Sequence, residues 1–170
     1  PGEGLRRHRR GADQAMRAFL WGRTVLLPAL NVRSAEKLCA QAAARRDRAA
    51  SREVWSTIAT LHRCGRLWSH PRGKWRRKAQ SVLPGLTGFS PRAVRETLDI
   101  LPRLLERGAL RARLRAELSR EDALDSWSLE PEASSALKAF PLGSVLHVAA
   151  GNVFLGCVDS IIMSLLTNNV

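Results

Sequence analysis

Apolar residues recur at helical spacing through most of the chain from residue 34 to residue 120. One such set consists of Val54, Trp55, Ile58, Leu61, Leu67 and Trp68. Spacings of three and four residues put these side chains on one face of a helix, where tryptophan is more often part of a core than of a binding surface. Ser90 followed by Pro91 is a typical helix start. The pattern predicts a set of amphipathic helices over residues 34–125.

Glycine, proline and small polar residues indicate where these helices begin and end. Ser34 is the predicted N-cap of an alanine-rich helix that continues to Ala50. A later helix is expected to end near Pro84. The helix that follows Ser90 is expected to be kinked or broken at Pro102 and to end at Gly108, because neither residue type continues a helix well.

The segment from Phe140 to Val170 changes its period in the middle. Gly143 to Ala149 is a short apolar run with β-branched valines, which predicts a buried strand. A turn of small residues follows, and from Val153 the apolar positions predict a helix of about four turns. Thr167-Asn168-Asn169 should stop this helix, since asparagine tolerates the left-handed conformation. Strand, turn and helix form the first half of a nucleotide-binding βαβ unit, with the second strand expected at Val170.

The remaining segments give weaker patterns. Residues 1–33 are a poorly defined extension, in which Met16 to Leu20 predicts a short helix and Val25 to Leu27 a strand. Asp125 to Phe140 is predicted to be a polar connector, and residues 126–170 hold this connector and the start of the α/β domain. Trp127 and Phe140 are expected to anchor the connector to the body of the protein.

Length and charge indicate the number of domains and the kinds of partner that the chain could bind. The chain has 170 residues, which suits one domain, and a formal net charge of +13. A basic chain allows a nucleic-acid-binding protein as an alternative, but arginines scattered among alanine and leucine are typical of solvated helix faces. We therefore expect no nucleic-acid partner. A basic surface also attracts anionic substrates or phosphorylated cofactors.

Cysteine usage and hydropathy bear on the cellular setting. The three cysteines are widely spaced and suggest neither a disulfide framework nor a metal site, so a reducing cytoplasm is expected. The apolar C-terminal stretch is long enough for a membrane span, but Gly151-Asn152 near its centre argues against stable membrane insertion. The N-terminus lacks the pattern of a signal peptide.

Several motifs occur in the order typical of one family. They are Gly65-Arg66-Leu67-Trp68, Trp75-Arg76-Arg77, Thr87-Gly88-Phe89-Ser90, Glu117-Leu118, Pro141-Leu142-Gly143, His147 to Val153, and Leu165 to Asn169. Over about residues 50–170 the chain resembles the N-terminal part of the LuxC-like acyl-CoA reductases of the aldehyde dehydrogenase superfamily. The resemblance implies an α/β, aldehyde dehydrogenase-like fold, with helices first and then the start of the NADP-binding domain. It also implies a homo-oligomeric parent protein.

The resemblance further implies a reaction and a site. Members of the family reduce an acyl-CoA or another acyl thioester to an aldehyde with NADPH, through an acylated cysteine. Carried over to this sequence, Asn152 would hold the carbonyl oxygen of the substrate, besides its ordinary role as a helix N-cap. Val148, Ala149, Ala150 and Gly151 would line the nicotinamide. Another aldehyde dehydrogenase relative, which oxidises aldehydes, stays open as an alternative.

The nucleophile is expected outside these residues. In the family the acylated cysteine lies well downstream of the segment that resembles this chain. Cys157 stands on the helix after the turn, where the family has a small residue, and we expect it to be buried and unreactive. Phe154 replaces an expected proline. The 170 residues alone should therefore be inactive.

Overall fold

The computed structural model describes residues 16–20, 23–27, 31–130, 135–148 and 154–170. The helices are α1 Val32–Ala43, α2 Arg46–Ala50, α3 Val54–Ser69, α4 Lys74–Thr87, α5 Pro91–Leu104, α6 Arg107–Leu118 and α7 Phe154–Leu166. The strands are β1 Met16–Leu20, β2 Arg23–Leu27, β3 Ser128–Glu130 and β4 Ser135–Leu137. The expected mostly helical character is confirmed. β1 with β2 and β3 with β4 form two separate antiparallel hairpins, so the helix predicted at Met16 to Leu20 is wrong.

Helix α3 is the centre of the core. Its buried residues Val54, Ile58 and Leu61 pack with side chains from α5, α6 and α7. The other buried members of this cluster are Leu101, Leu105, Leu110, Leu114, Leu124, Ile162 and Leu166. The tryptophans of α3 are less buried than predicted: Trp68 packs partly against the core, whereas Trp55 is about half exposed and lies under the Arg111 guanidinium.

The first helix begins earlier than the sequence suggested. Asn31, not Ser34, is the N-cap of α1, and its side chain accepts a hydrogen bond from the Ser34 N–H at 2.7 Å. The Ser34 hydroxyl in turn accepts from the Asn31 N–H at 2.9 Å, which completes a capping box. The alanine-rich run also divides into two helices at Ala44 and Arg45, and neither helix has a buried residue.

Two predicted helix ends are also displaced. Helix α4 continues through Pro84 and ends at Gly88, which has a φ of 75° and donates its N–H to the Pro84 carbonyl. Helix α5 contains Pro102 and ends at Leu104, so the break precedes Gly108, which lies within the first turn of α6. The predicted start of α5 is confirmed, because the Ser90 side chain accepts from the Ala93 N–H and Pro91 opens the helix.

The connector contacts the body through residues other than the two aromatic ones. Trp127 and Phe140 are largely exposed and contact each other edge to face at 6.0 Å, so their predicted anchoring role is wrong. Instead Asp125 accepts from the Val54 N–H at 3.3 Å and thereby caps α3. The Ala139 N–H donates to the Ala123 carbonyl at 2.8 Å.

A paired acidic turn follows α6. Glu121 accepts from Arg111 at 2.5 Å and also pairs with Arg115. The hydrogen bond from Arg111, with that from Arg115, holds the pKa of Glu121 below its ordinary value of 4.5. The hydroxyl of Ser126, followed by the Arg120 guanidinium, likewise lowers the pKa of Asp122 from 3.8.

Helix α7 ends as predicted. Asn168 takes the left-handed conformation with a φ of 57°. Its N–H donates to the Leu165 carbonyl at 3.1 Å, and the Asn169 N–H donates to the Ser164 carbonyl at 2.9 Å. These two bonds form a Schellman motif with asparagine where glycine is usual.

Candidate functional site

The chain before α7 and the chain after it meet in a parallel arrangement. The Val170 N–H donates to the Gly143 carbonyl at 2.8 Å, and the Val145 N–H donates to the Val170 carbonyl at 2.8 Å. One residue bonded to the two neighbours of its opposite residue is the hydrogen-bond pattern of a parallel strand pair. Ser144 and Val170 are therefore paired as neighbouring strands of a βαβ unit would be, with α7 as the connection.

Side chains from both ends of this unit hold the pairing in place. The Asn169 side chain accepts from the buried Gly143 N–H at 2.8 Å. Gly143 has a φ of 104°, and a Cβ placed there would lie 2.7 Å from Cδ of Arg46. The position therefore favours glycine because of its backbone conformation, whereas the flexible Arg46 side chain could move to make room for a Cβ.

Residues 143–148 alternate between buried or half-buried and exposed positions. Gly143 is buried and Val145 half-buried, whereas Leu146 is 88% exposed and Val148 90% exposed. A strand of a parallel sheet is normally covered on both faces. One face of residues 143–148 packs on the described body, and the other is open. Beyond the pairing at Ser144 these residues form no regular strand, so the predicted buried strand is wrong.

The predicted site residues lie at the end of this segment. Val148 is described, and its side chain is open to solvent. Asn152, Ala149, Ala150 and Gly151 fall outside the described residues. Their predicted roles therefore stay predictions.

Two polar contacts orient the first half of α7, and neither was predicted from the sequence. The His147 Nδ1 and Ser160 Oγ atoms lie 2.8 Å apart and tie residues 143–148 to the helix. On the adjoining face Asp159 forms an ion pair with Arg113 of α6. Spacing alone could not reveal either pair, because each joins different elements.

Two cavities flank the described helices near α7. An apolar groove of about 370 Å³ lies between α3, α4, α5 and α7. Its lining consists of Trp68, Trp75, Lys78, Ala79, Val82, Leu83, Leu98, Leu101, Leu155 and Val158. A larger and more polar hollow of about 620 Å³ lies beside α1, α2 and the end of α7, and Arg45, Arg48 and Arg52 contribute to its wall.

Cysteine and histidine form no obvious reactive centre in the part of the chain that the structure describes. Cys39 and Cys64 are exposed, and Cys157 is half-buried rather than buried. His62 donates to the Leu105 carbonyl, and His70 accepts from the Arg72 N–H, as expected for structural or exposed histidines. No group of three metal-binding side chains occurs within those ranges.

No helix in the described ranges combines the length and the apolarity needed to cross a bilayer.

Comparison with known proteins identifies relatives of this chain. Three relatives named long-chain acyl-protein thioester reductase align with it. The protein from Photorhabdus laumondii is 30% identical over 110 residues, 64% of this chain and 22% of its own length. Those from Photorhabdus luminescens and Vibrio harveyi are 28% and 30% identical and are covered over 24% and 23% of their lengths. The chain thus spans less than a quarter of each relative.

A family model gives a longer match than any single relative. The model described as acyl-CoA reductase (LuxC) matches residues 49–170, which is more than half of the chain. The matched range includes α3 to α7, the parallel pairing around Val170 and the candidate turn. The chain therefore belongs to the LuxC acyl-CoA reductase family.

Proposed function

We propose that this chain forms part of a reductase that converts a long-chain acyl thioester to an aldehyde with NADPH. The observation that carries the proposal is the parallel pairing of Gly143 and Val145 with Val170 across α7. In open α/β sheets, ligands bind beyond the carboxyl ends of the strands. The segment 143–148 leads into residues 149–152, which the family resemblance assigns to the site.

The residue types at positions 148–151 suit a dinucleotide. The side chain of Val148 is exposed, and Ala149, Ala150 and Gly151 carry little bulk, which would allow the backbone to approach a flat ring. When bound, NADPH supplies the hydride for the reduction. The residues of this chain would bind the cofactor by shape and backbone contact.

Asn152 would act on the substrate. Its side-chain amide would donate a hydrogen bond to the carbonyl oxygen of the thioester, where negative charge develops during the reaction. Donors placed in this way typically lower the barrier by about 2.7–4 kcal/mol. The acylated cysteine would come from elsewhere in the protein, and the parent protein would be a homo-oligomer in the cytoplasm.

The test is an aldehyde assay on the complete gene product with tetradecanoyl-CoA and NADPH. Asn152→Ala should lower kcat by about 100- to 1,000-fold, because it removes one oxyanion donor. Cys157→Ser is the matched control, and its activity should be unchanged, because this cysteine is not the nucleophile.

Three other results would be informative. Undiminished activity in Asn152→Ala would contradict the assigned role, and a loss in Cys157→Ser would place the chemistry on α7. Oxidation of tetradecanal by the protein, without reduction of the thioester, would favour an aldehyde dehydrogenase of the oxidising kind. The 170-residue chain alone should give no aldehyde.

A further inference from the structure

The feature that the proposed site does not use is the apolar groove between α3, α4, α5 and α7. We propose that this groove binds the alkyl chain of the acyl substrate. The proposal rests on the reductase function above and adds where the long chain lies. The groove's volume of about 370 Å³ is within the usual range for small-molecule sites.

Helix α4 supplies one complete wall of the groove. Trp75, Lys78, Ala79, Val82 and Leu83 follow the spacing of an apolar helix face, yet this face is not part of the core. Trp75 is 51% exposed and Val82 is 38% exposed. An amphipathic helix whose apolar face is directed into an open groove is available for an apolar ligand.

A buried charge holds α4 in this position. Arg76 is the one buried residue of α4, and it donates to the Trp68 carbonyl at 3.3 Å and pairs with Asp99 of α5. These contacts fasten one side of α4 to α3 and α5. The adjoining side of α4, which carries Trp75, Ala79 and Val82, is left facing Leu155 and Val158 of α7.

The lining favours an alkyl chain over a peptide. Nine of the ten lining residues are aliphatic or tryptophan, and the tenth, Lys78, can contribute its aliphatic stem. A bound peptide would bring backbone N–H and C=O groups that need hydrogen-bond partners, and this lining offers few. An alkyl chain has no such groups.

The position of the groove along the chain agrees with the proposed chemistry. Leu155 lines the groove, and it follows Asn152, the proposed carbonyl-binding residue, by three positions. The groove is therefore lined by the first turn of α7, directly after the proposed carbonyl-binding residue in the sequence. The relatives are named for long-chain acyl substrates, which have this shape.

Binding of S-tetradecyl-CoA and S-butyl-CoA to the complete gene product tests the proposal. Both compounds are thioethers that lack the thioester carbonyl and cannot be reduced, so their binding is measured without the reaction. Val82→Asp puts a charge in the groove and should raise the Kd of S-tetradecyl-CoA about tenfold, or about 1.4 kcal/mol. The Kd of S-butyl-CoA should not change. Ala79→Phe, which fills the groove without adding charge, should act in the same direction.

Ser81→Asp is the matched control, because it adds the same charge at an exposed position of α4 outside the groove. Equal Kd values for Val82→Asp and Ser81→Asp would overturn the proposal. So would an equal loss for both chain lengths, or a change in oligomeric state with unchanged ligand binding. If the wild type prefers the longer thioether but makes no aldehyde, the reductase function fails and the groove assignment stands.

Discussion

Gly65 shows how a single residue sets the distance between two helices. It lies in the middle of α3, where glycine is intrinsically unfavourable. A Cβ at this position would lie 2.8 Å from Cβ of Leu105 and 3.4 Å from the Pro102 carbonyl oxygen. The absence of a side chain therefore lets the end of α5 approach α3, and packing outweighs helix propensity here.

Gly65→Ala should lower the free energy of unfolding by about 1–3 kcal/mol, because the added methyl overpacks the contact with Leu105. Gly108→Ala is the matched control, since a Cβ there has no neighbour within 4 Å. It should raise stability by up to about 1 kcal/mol through helix propensity. Urea unfolding followed by circular dichroism measures both, and a stabilising Gly65→Ala would contradict the close approach.

At the scale of elements, the end of α7 connects the βαβ unit to the helical core. The Asn168 side chain donates to the Arg52 carbonyl at 2.6 Å and accepts from the Thr57 hydroxyl at 3.5 Å. Asn169 bonds the Gly143 N–H from the other side of the turn. Two neighbouring asparagines thus fasten α7 to the start of α3 and to the segment before α7.

Asn168 can be tested with two substitutions that separate conformation from side-chain bonding. Asn168→Gly keeps the left-handed backbone but loses the side-chain hydrogen bonds, and should cost about 1–2 kcal/mol of unfolding free energy. Asn168→Ala loses the same bonds and also strains the backbone. It should cost about 1 kcal/mol more, after allowance for the greater unfolded-state entropy of glycine.

Urea unfolding of the two Asn168 variants measures how much the left-handed conformation contributes to stability. If Asn168→Ala were as stable as Asn168→Gly, the left-handed conformation would contribute nothing, and the helix end would depend on side-chain bonds alone.

At the scale of the whole molecule, the charge balance governs the response to acid. The chain has 28 Lys and Arg against 15 Asp and Glu, so few carboxylates stand among many guanidinium groups. Glu121 pairs with two arginines of α6, and its pKa in the folded protein is below 4.5. A lowered folded-state pKa means that the unfolded chain binds the proton more readily, so acid favours unfolding.

The stabilisation from Glu121 should be complete above about pH 4.5 and be lost as the pH falls through the lower folded-state pKa. Glu121→Gln should therefore be less stable than the wild type at pH 7, and the difference should disappear as the pH falls below the folded-state pKa of Glu121. Urea unfolding at several pH values measures this difference. Glu117→Gln, which removes the same charge at an exposed position of α6, is the matched control and should lower the stability at pH 7 less than Glu121→Gln does.

The second feature at the scale of the whole molecule is the open face of residues 143–148. Leu146 and Val148 are almost fully exposed on one side of residues 143–148, while the other side packs on the body. Parallel sheets are normally covered on both faces, so this face has the character of a surface that packs against another element.

Local sequence patterns were sufficient to predict those helices and helix ends that are stabilised by residues close together in the sequence. The apolar spacing of α3 and α5, the Ser90 cap and the asparagine stop of α7 all followed from interactions within a few residues. The motifs also identified the family, which the match over residues 49–170 confirms. For the candidate site, the sequence predicted a strand, a turn and a helix, and of these the structure shows the helix and a parallel pairing at Ser144.

Contacts between distant residues decided the rest, because no periodicity within one element reports on them. Asp125 caps α3 from 71 residues away, whereas the sequence predicted only a polar connector at this position. Pro84 did not end α4, since Gly88 supplies the left-handed residue that does. The sequence alone determined the family and the helical content. Only the tertiary structure decided which residues pair with Val170 and left the apolar face of α4 open, because both depend on how separate elements pack.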